Sequence, residues 1–110
     1  MFGITKIWLT SREKDACEAV TQLILETGSA DSKRFARRLT RTWRAKSGTD
    51  SYLASTGAWA HLTVWLRQCI TYLEASQSEL TEQDRKLLRD AGEALARIEG
   101  HRCSAHGSKP

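Results

Sequence analysis

The single proline of this 110-residue chain is its last residue, Pro110, and only seven glycines are spread through the rest. No interior position therefore has its φ locked by a proline ring, and long regular segments are allowed. Turn-rich sandwiches or barrels, collagen-like repeats and Pro/Gly/Ser-rich disordered chains are disfavoured on the same ground. The length suits one domain.

Hydrophobic periodicity fills those segments with helices. Thr10 followed by Glu13 has the Thr-x-x-Glu pattern of a capping box, and predicts a first helix to about Thr27. Its apolar positions Ala16, Cys17, Val20, Leu23 and Ile24 recur at spacings of three and four, and Gly28 stands where a left-handed residue would end it. A second helix, capped by Ser29 or Asp31, is expected to run to about Lys46, before the turn-forming cluster Ser47-Gly48-Thr49-Asp50. Asp50 or Ser51 then caps a third helix to about Ser76, in which Gly57 marks a break or a close contact. Ala58, Trp59, Leu62, Trp65, Leu66, Cys69, Ile70, Tyr72 and Leu73 give this helix an apolar sector about 160° wide, too wide for a surface helix, which makes it the central one. Thr81 and Asp84 resemble a second capping box ahead of a fourth helix, Glu82 to Glu99, with Leu87, Leu88, Ala91, Ala94, Leu95 and Ile98 on one stripe. Glu82/Lys86 and Glu93/Arg97 are its expected i,i+4 pairs, and Gly100 its expected end.

The expected fold is thus all-α: a small bundle of about four amphipathic helices over residues 1–100, with a flexible tail over 101–110. Met1 to Leu9 hold Phe2, Ile4, Ile7, Trp8 and Leu9 without clean alternation, and read as a short N-terminal strand or an extended arm. The longest apolar stretch, Ala58 to Leu66, contains His61 and Thr63 and stops at Arg67, far short of the roughly 18 residues a membrane span needs. The start of the chain has neither a signal-peptide nor a transit-peptide pattern, which gives a cytoplasmic expectation. Three cysteines are too few, and odd in number, for a disulfide scaffold; Cys17 and Cys69 fall on apolar helix faces and read as small hydrophobes.

Charge is distributed unevenly. Lys33, Arg34, Arg37, Arg38, Arg41, Arg44 and Lys46 give the segment 33–46 a charge of +7 with no acidic residue, leaving ten basic and thirteen acidic residues, or −3, elsewhere. On a helical projection Phe35, Ala36, Leu39 and Trp43 share one face, and all of these cations except Lys46 cover the other. Pairs such as Lys33/Arg37, Arg34/Arg38 and Arg37/Arg41 repel by a few tenths of a kcal/mol each, so something should compensate them. Three sources qualify: acidic residues of the neighbouring helices (Glu13, Asp15 and Glu18, or Glu79, Glu82 and Asp84), an acidic protein partner, or the phosphates of a nucleic acid. The first two helices around Gly28 have the outline of a helix-turn-helix, but Ile24, Ser29, Arg34 and Arg37 occupy positions where that motif wants a small residue and three apolar ones.

Four tryptophans are the second feature. Trp43, Trp59 and Trp65 lie on apolar helix faces and read as core, whereas Trp8 lies outside any amphipathic pattern and is the candidate anchor. His101, Cys103 and His106 lack a fourth ligand for a structural zinc site, and His61 reads as a partly buried histidine with satisfied hydrogen bonds, so no metal, cofactor or catalytic residue is assigned. No phosphate-binding glycine loop, nucleophile elbow or paired-His zinc motif occurs, and the chain reads as no enzyme. In size and in lack of catalytic motifs it is similar to short helical proteins that hold another protein inactive. The expected function is a non-catalytic regulatory module binding a protein with an acidic surface through Lys33, Arg34, Arg37, Arg38, Arg41, Arg44 and Trp8. It would act as an inhibitor or anti-activator that occludes a transcription regulator or a nucleic-acid-processing complex. Direct nucleic-acid binding by the basic helix is the alternative, a structural subunit of a larger assembly a third, and the broad apolar sector suggests a homodimer that completes its core.

Overall fold

Thr10 and Glu13 form the capping box that their spacing implies. The Glu13 backbone N–H donates to Thr10 Oγ1, and the Thr10 N–H donates to Glu13 Oε1. The structure, a computed structural model, describes residues 3–44 and 51–107, with side chains as far as Gly100 apart from Gln77. Helix α1 occupies Ser11–Thr27 and α2 occupies Ala30–Arg44, started by Ser29, whose Oγ accepts from the Ser32 N–H. Lys46 and the Ser47-Gly48-Thr49-Asp50 cluster lie outside the described residues. Helix α3 occupies Thr56–Ala75 and α4 occupies Glu82–Gly107, separated by a 3₁₀ turn at Gln77–Glu79. The second capping box is present at Thr81 and Asp84. The chain is a small helical bundle with a two-stranded antiparallel element.

That element corrects the expected start of the third helix. Ile4–Trp8 (β1) pairs with Ser51–Ser55 (β2), Ile4 opposite Ser55 and Trp8 opposite Ser51. The N-terminal segment is therefore a strand, and the helix cap is Ser55, whose Oγ accepts from the Ala58 N–H, rather than Asp50 or Ser51. Gly57 falls in the first turn of α3, where an added Cβ would make only an ordinary 3.6 Å contact with Phe35, so it marks neither a break nor a tight approach.

Gly28 ends α1 in extended backbone, φ −79°, not in the left-handed region. Close approach explains the residue instead: a Cβ there would lie 2.7 Å from the Ile24 carbonyl oxygen and 3.0 Å from Ile24 Cγ2. Gly100 does not stop α4, which continues to Gly107. A lone helical glycine with open space around it weakens a helix by about 1 kcal/mol relative to alanine without ending it.

Helix α3 touches both strands and all three other helices. Trp59, Leu62 and Leu66 are fully buried on it, against Val20 and Ile24 of α1, Leu39 and Trp43 of α2, and Ala91, Ala94 and Ile98 of α4. Its buried sector is narrower than expected, because Tyr72 is exposed and Trp65 only half-buried. Leu23 sits at the rim of α1. Two indole N–H groups are satisfied inside: Trp59 Nε1 donates to the Thr5 carbonyl, and Trp43 Nε1 donates to Thr21 Oγ1, which in turn donates to the Cys17 carbonyl.

The expected ion pairs of α4 are also corrected. Lys86 pairs with the buried Asp90, and Arg97 reaches across to Glu13 at 2.7 and 3.1 Å. Burial alone would push the Glu13 carboxyl up, but hydrogen bonds from Arg97 and the Thr10 backbone, with the Arg97 charge, outweigh it and hold the group below its ordinary value. One carboxylate thus starts α1 and clamps α4 to it.

Two outcomes follow for stability. Gly92, with nothing near its Cβ position, should accept alanine with a gain of about 0.5–1 kcal/mol, whereas Gly28→Ala should lose stability because Ile24 is in the way; urea denaturation of both variants checks the opposite signs. A carboxyl with a lowered folded-state pKa stabilises fully above its unfolded value of about 4.3 and loses that contribution as pH falls through the folded value. Glu13→Gln should therefore cost about 1–3 kcal/mol at pH 7 and shrink the loss of stability between pH 7 and pH 3. An unchanged pH dependence would refute the clamp.

Candidate functional site

Helix α2 is positioned by what it buries. Ser32, Ala36, Leu39 and Trp43 face inward, so Arg34, Arg37, Arg38, Arg41 and Arg44 are left exposed and Lys33 half-buried. Asp31 in its first turn and Arg41 and Arg44 in its last suit the helix dipole. The Phe35 ring stacks on His61 of α3, centroids 4.9 Å apart, and the Arg38 guanidinium lies 5.9 Å above the same ring. This column seats α2 on α3 and draws one arginine along the helix surface.

The acidic residues that could have neutralised α2 are engaged elsewhere or lie out of reach. Glu13 holds Arg97, Asp15 and Glu18 flank Lys14, and Asp90 takes Lys86 and Arg89. Among the described residues the one ion pair of α2 is Arg34 with Asp31 of its own first turn, at 3.8 Å with both side chains largely exposed. Such a contact contributes little in water. Glu79, Glu82 and Asp84 form no ion pair with the helix among the described residues.

Beside this face lies an apolar one. On the outer side of the strand pair Ile4, Trp8 and Leu53 are 74%, 56% and 57% exposed, with Lys6 opposite Leu53. Trp8 was the only one of these that the sequence singled out. Ile4 and Leu53 were missed because Ile7 and Leu9 on the buried side mask the alternation, and because Leu53 lies in a strand whose partner is some 47 residues away. The structure brings the two faces together at a hydrogen bond from Thr42 Oγ1 of α2 to the Leu53 carbonyl. The helix that carries the cations therefore lies against the edge of the strand that carries Leu53.

The remaining candidates behave as structural parts. Burial pushes the Cys17 and Cys69 thiols up, away from reactivity. His61 Nε2 lies 2.9 Å from Ser32 Oγ, which also accepts from Ser29 Oγ. With the imidazole stacked on Phe35, this chain of hydroxyls ties the start of α2 to α3. Spacing in sequence could not have paired these residues, which are 29 positions apart. No group of three or more His, Cys, Asp or Glu able to hold a metal occurs among the described residues, and the side chains of His101, Cys103 and His106 lie outside them. A groove of about 630 Å³ between α3 and α4 is lined by Val64, Arg67, Tyr72 and Glu99, with Arg67 and Glu99 paired across it. No helix among the described residues is long and apolar enough to cross a membrane. No protein-family model, curated protein or solved structure matches the chain.

If the arginine face has no internal counter-charge, reversing it should leave the fold intact. Arg37→Glu, Arg38→Glu and Arg41→Glu together should change the unfolding free energy by less than about 1 kcal/mol. A loss of several kcal/mol in thermal or urea unfolding would mean that these cations hold the bundle together.

Proposed function

We propose that this chain is a non-catalytic protein-binding module that regulates its partner by covering an acidic surface of it. The observation that carries this reading is that six cations on α2 form one weak ion pair among the described residues, while the adjoining strand pair presents three exposed apolar side chains. Protein interfaces combine these elements: arginines and tryptophans supply most hot spots, a charged rim steers the encounter, and buried apolar contacts hold the complex. Here Lys33, Arg34, Arg37, Arg38, Arg41 and Arg44 would steer, and Trp8 with Ile4 and Leu53 would anchor. Occlusion is the mechanism, inhibiting or preventing activation of the partner. Transcription regulators and nucleic-acid-processing complexes are the partner classes to search first.

Direct nucleic-acid binding is the second reading, favoured by the same arginines, whose planar donor forks suit phosphate. It leaves the apolar patch without a role, because contacts to a phosphate backbone gain nothing from an exposed Ile4 or Leu53.

The test is a pull-down from source-cell lysate at about physiological salt, with and without nuclease, followed by titration of the recovered protein. A stoichiometric protein is expected in both samples. Arg37→Glu, Arg38→Glu and Arg41→Glu together should weaken its binding at least tenfold and flatten the salt dependence, and Trp8→Ala should weaken it about tenfold, the equivalent of 1.4 kcal/mol. Recovery of nucleic acid alone, with affinity falling steeply in salt and indifferent to Trp8, would install the second reading.

A further inference from the structure

The two edges of the strand pair are not equivalent. The Thr56 N–H donates to the Gly3 carbonyl, so Gly3 and Thr56 form a hydrogen-bonded pair next to β1 and β2. Hydrogen-bonded and non-hydrogen-bonded pairs alternate along an antiparallel ladder, which makes Thr5–Ala54 and Ile7–Tyr52 the bonded pairs within it. The N–H and C=O groups of Ile4, Lys6 and Trp8 then point to the outer edge of β1, and those of Leu53 to the outer edge of β2. The Leu53 carbonyl accepts from Thr42 Oγ1 of α2, so the helix closes that edge. Among the described residues no strand pairs with the other.

Among the described residues this edge has no backbone partner, and beside exposed Ile4 and Trp8 it is a template for another strand. A second copy of this chain fits poorly by charge. The centred antiparallel register that sets Ile4 against the partner copy's Trp8 also sets Lys6 directly against its own counterpart, and the chain already carries +4. A carboxylate opposite Lys6 reverses that penalty.

We propose that β1 accepts an extended segment of the partner protein as a third strand, with an acidic residue opposite Lys6 and aliphatic residues opposite Ile4 and Trp8. The recognised pattern is aliphatic-x-acidic-x-aliphatic: main-chain hydrogen bonds along the edge supply affinity, and alternate side chains on the outer face supply selectivity. Further carboxylates of the same partner reach the arginines of α2 beyond β2. The proposal rests on the reading of this surface as a protein-docking one and specifies the form the ligand takes.

The probe is a synthetic peptide, Val-Thr-Glu-Thr-Val between Gly-Ser flanks, titrated into the full chain and followed by amide NMR. Shifts are expected at Ile4, Lys6 and Trp8, with cross-strand contacts to the peptide and slowed exchange of the three amides. Replacing the peptide's glutamate by lysine should weaken binding at least tenfold, and Lys6→Glu should restore the lysine peptide. Lys6→Pro removes an edge N–H without touching the ladder to β2, and should weaken binding at least tenfold relative to Lys6→Gln; if it unfolds the chain, the exchange and cross-strand contacts of the unaltered chain decide. Peptide shifts confined to the helices, or none, would overturn strand addition. So would concentration-dependent shifts of the same three amides without peptide, which would make the occupant a second copy. If the peptide fails while reversal of the α2 arginines still abolishes partner capture, only strand addition falls; if capture survives that reversal, the docking reading itself falls.

Discussion

The fully buried indole of Trp59 is the contact on which the rest of the structure depends. Its N–H donates to the Thr5 carbonyl and so fixes β1 on α3, while its ring meets Trp43 edge-on, centroids 5.8 Å apart. Trp43 in turn packs on Tyr52 of β2 and donates to Thr21 of α1. One aromatic cluster thus joins both strands and three helices. Large rings bring much apolar area per residue, and in a chain this small such area is scarce. The polar N–H of each indole finds an acceptor inside, which removes the penalty of burying it.

Glu13 and Arg97 close the other end of the arrangement, where α4 meets α1. This pairing has a consequence for the surface. With Glu13 turned to α4, and Asp15 and Glu18 beside Lys14, these acids of α1 form no ion pair with α2, whose one such contact among the described residues is Arg34 with Asp31. The positive field of α2 is therefore directed outward, where arginines repel one another and gain by meeting negative charge. The buried indoles and Glu13 find partners inside the fold, whereas most cations of α2 find none among the described residues.

The strand pair adds an apolar face to this charged one. Its inner side carries Ile7 and Ala54 into the core, its outer side presents Ile4, Leu53 and Trp8, and α2 closes one edge through Thr42. Arginines, apolar patch and open strand edge then follow one another across a single surface. In the proposed complex, steering, anchoring and main-chain recognition would fall to different elements, joined through the same buried tryptophans.

Much of this was legible in the chain itself. Absence of interior proline, apolar residues at spacings of three and four, and the Thr10/Glu13 and Thr81/Asp84 boxes determine four amphipathic helices, because helix signals are local. The opposite faces of α2 follow from the same periodicity. What only the tertiary structure decided is non-local: that Ser51–Ser55 is a strand, since its partner lies at the far N-terminus; that Gly28 is required by Ile24 rather than by a left-handed turn; and that Arg97 chooses Glu13 over Glu93. Ile4 and Leu53 became visible as surface residues for the same reason, because exposure is a property of which side of a strand meets the core. Local spacing determines which residues share a face, and packing determines which face meets water.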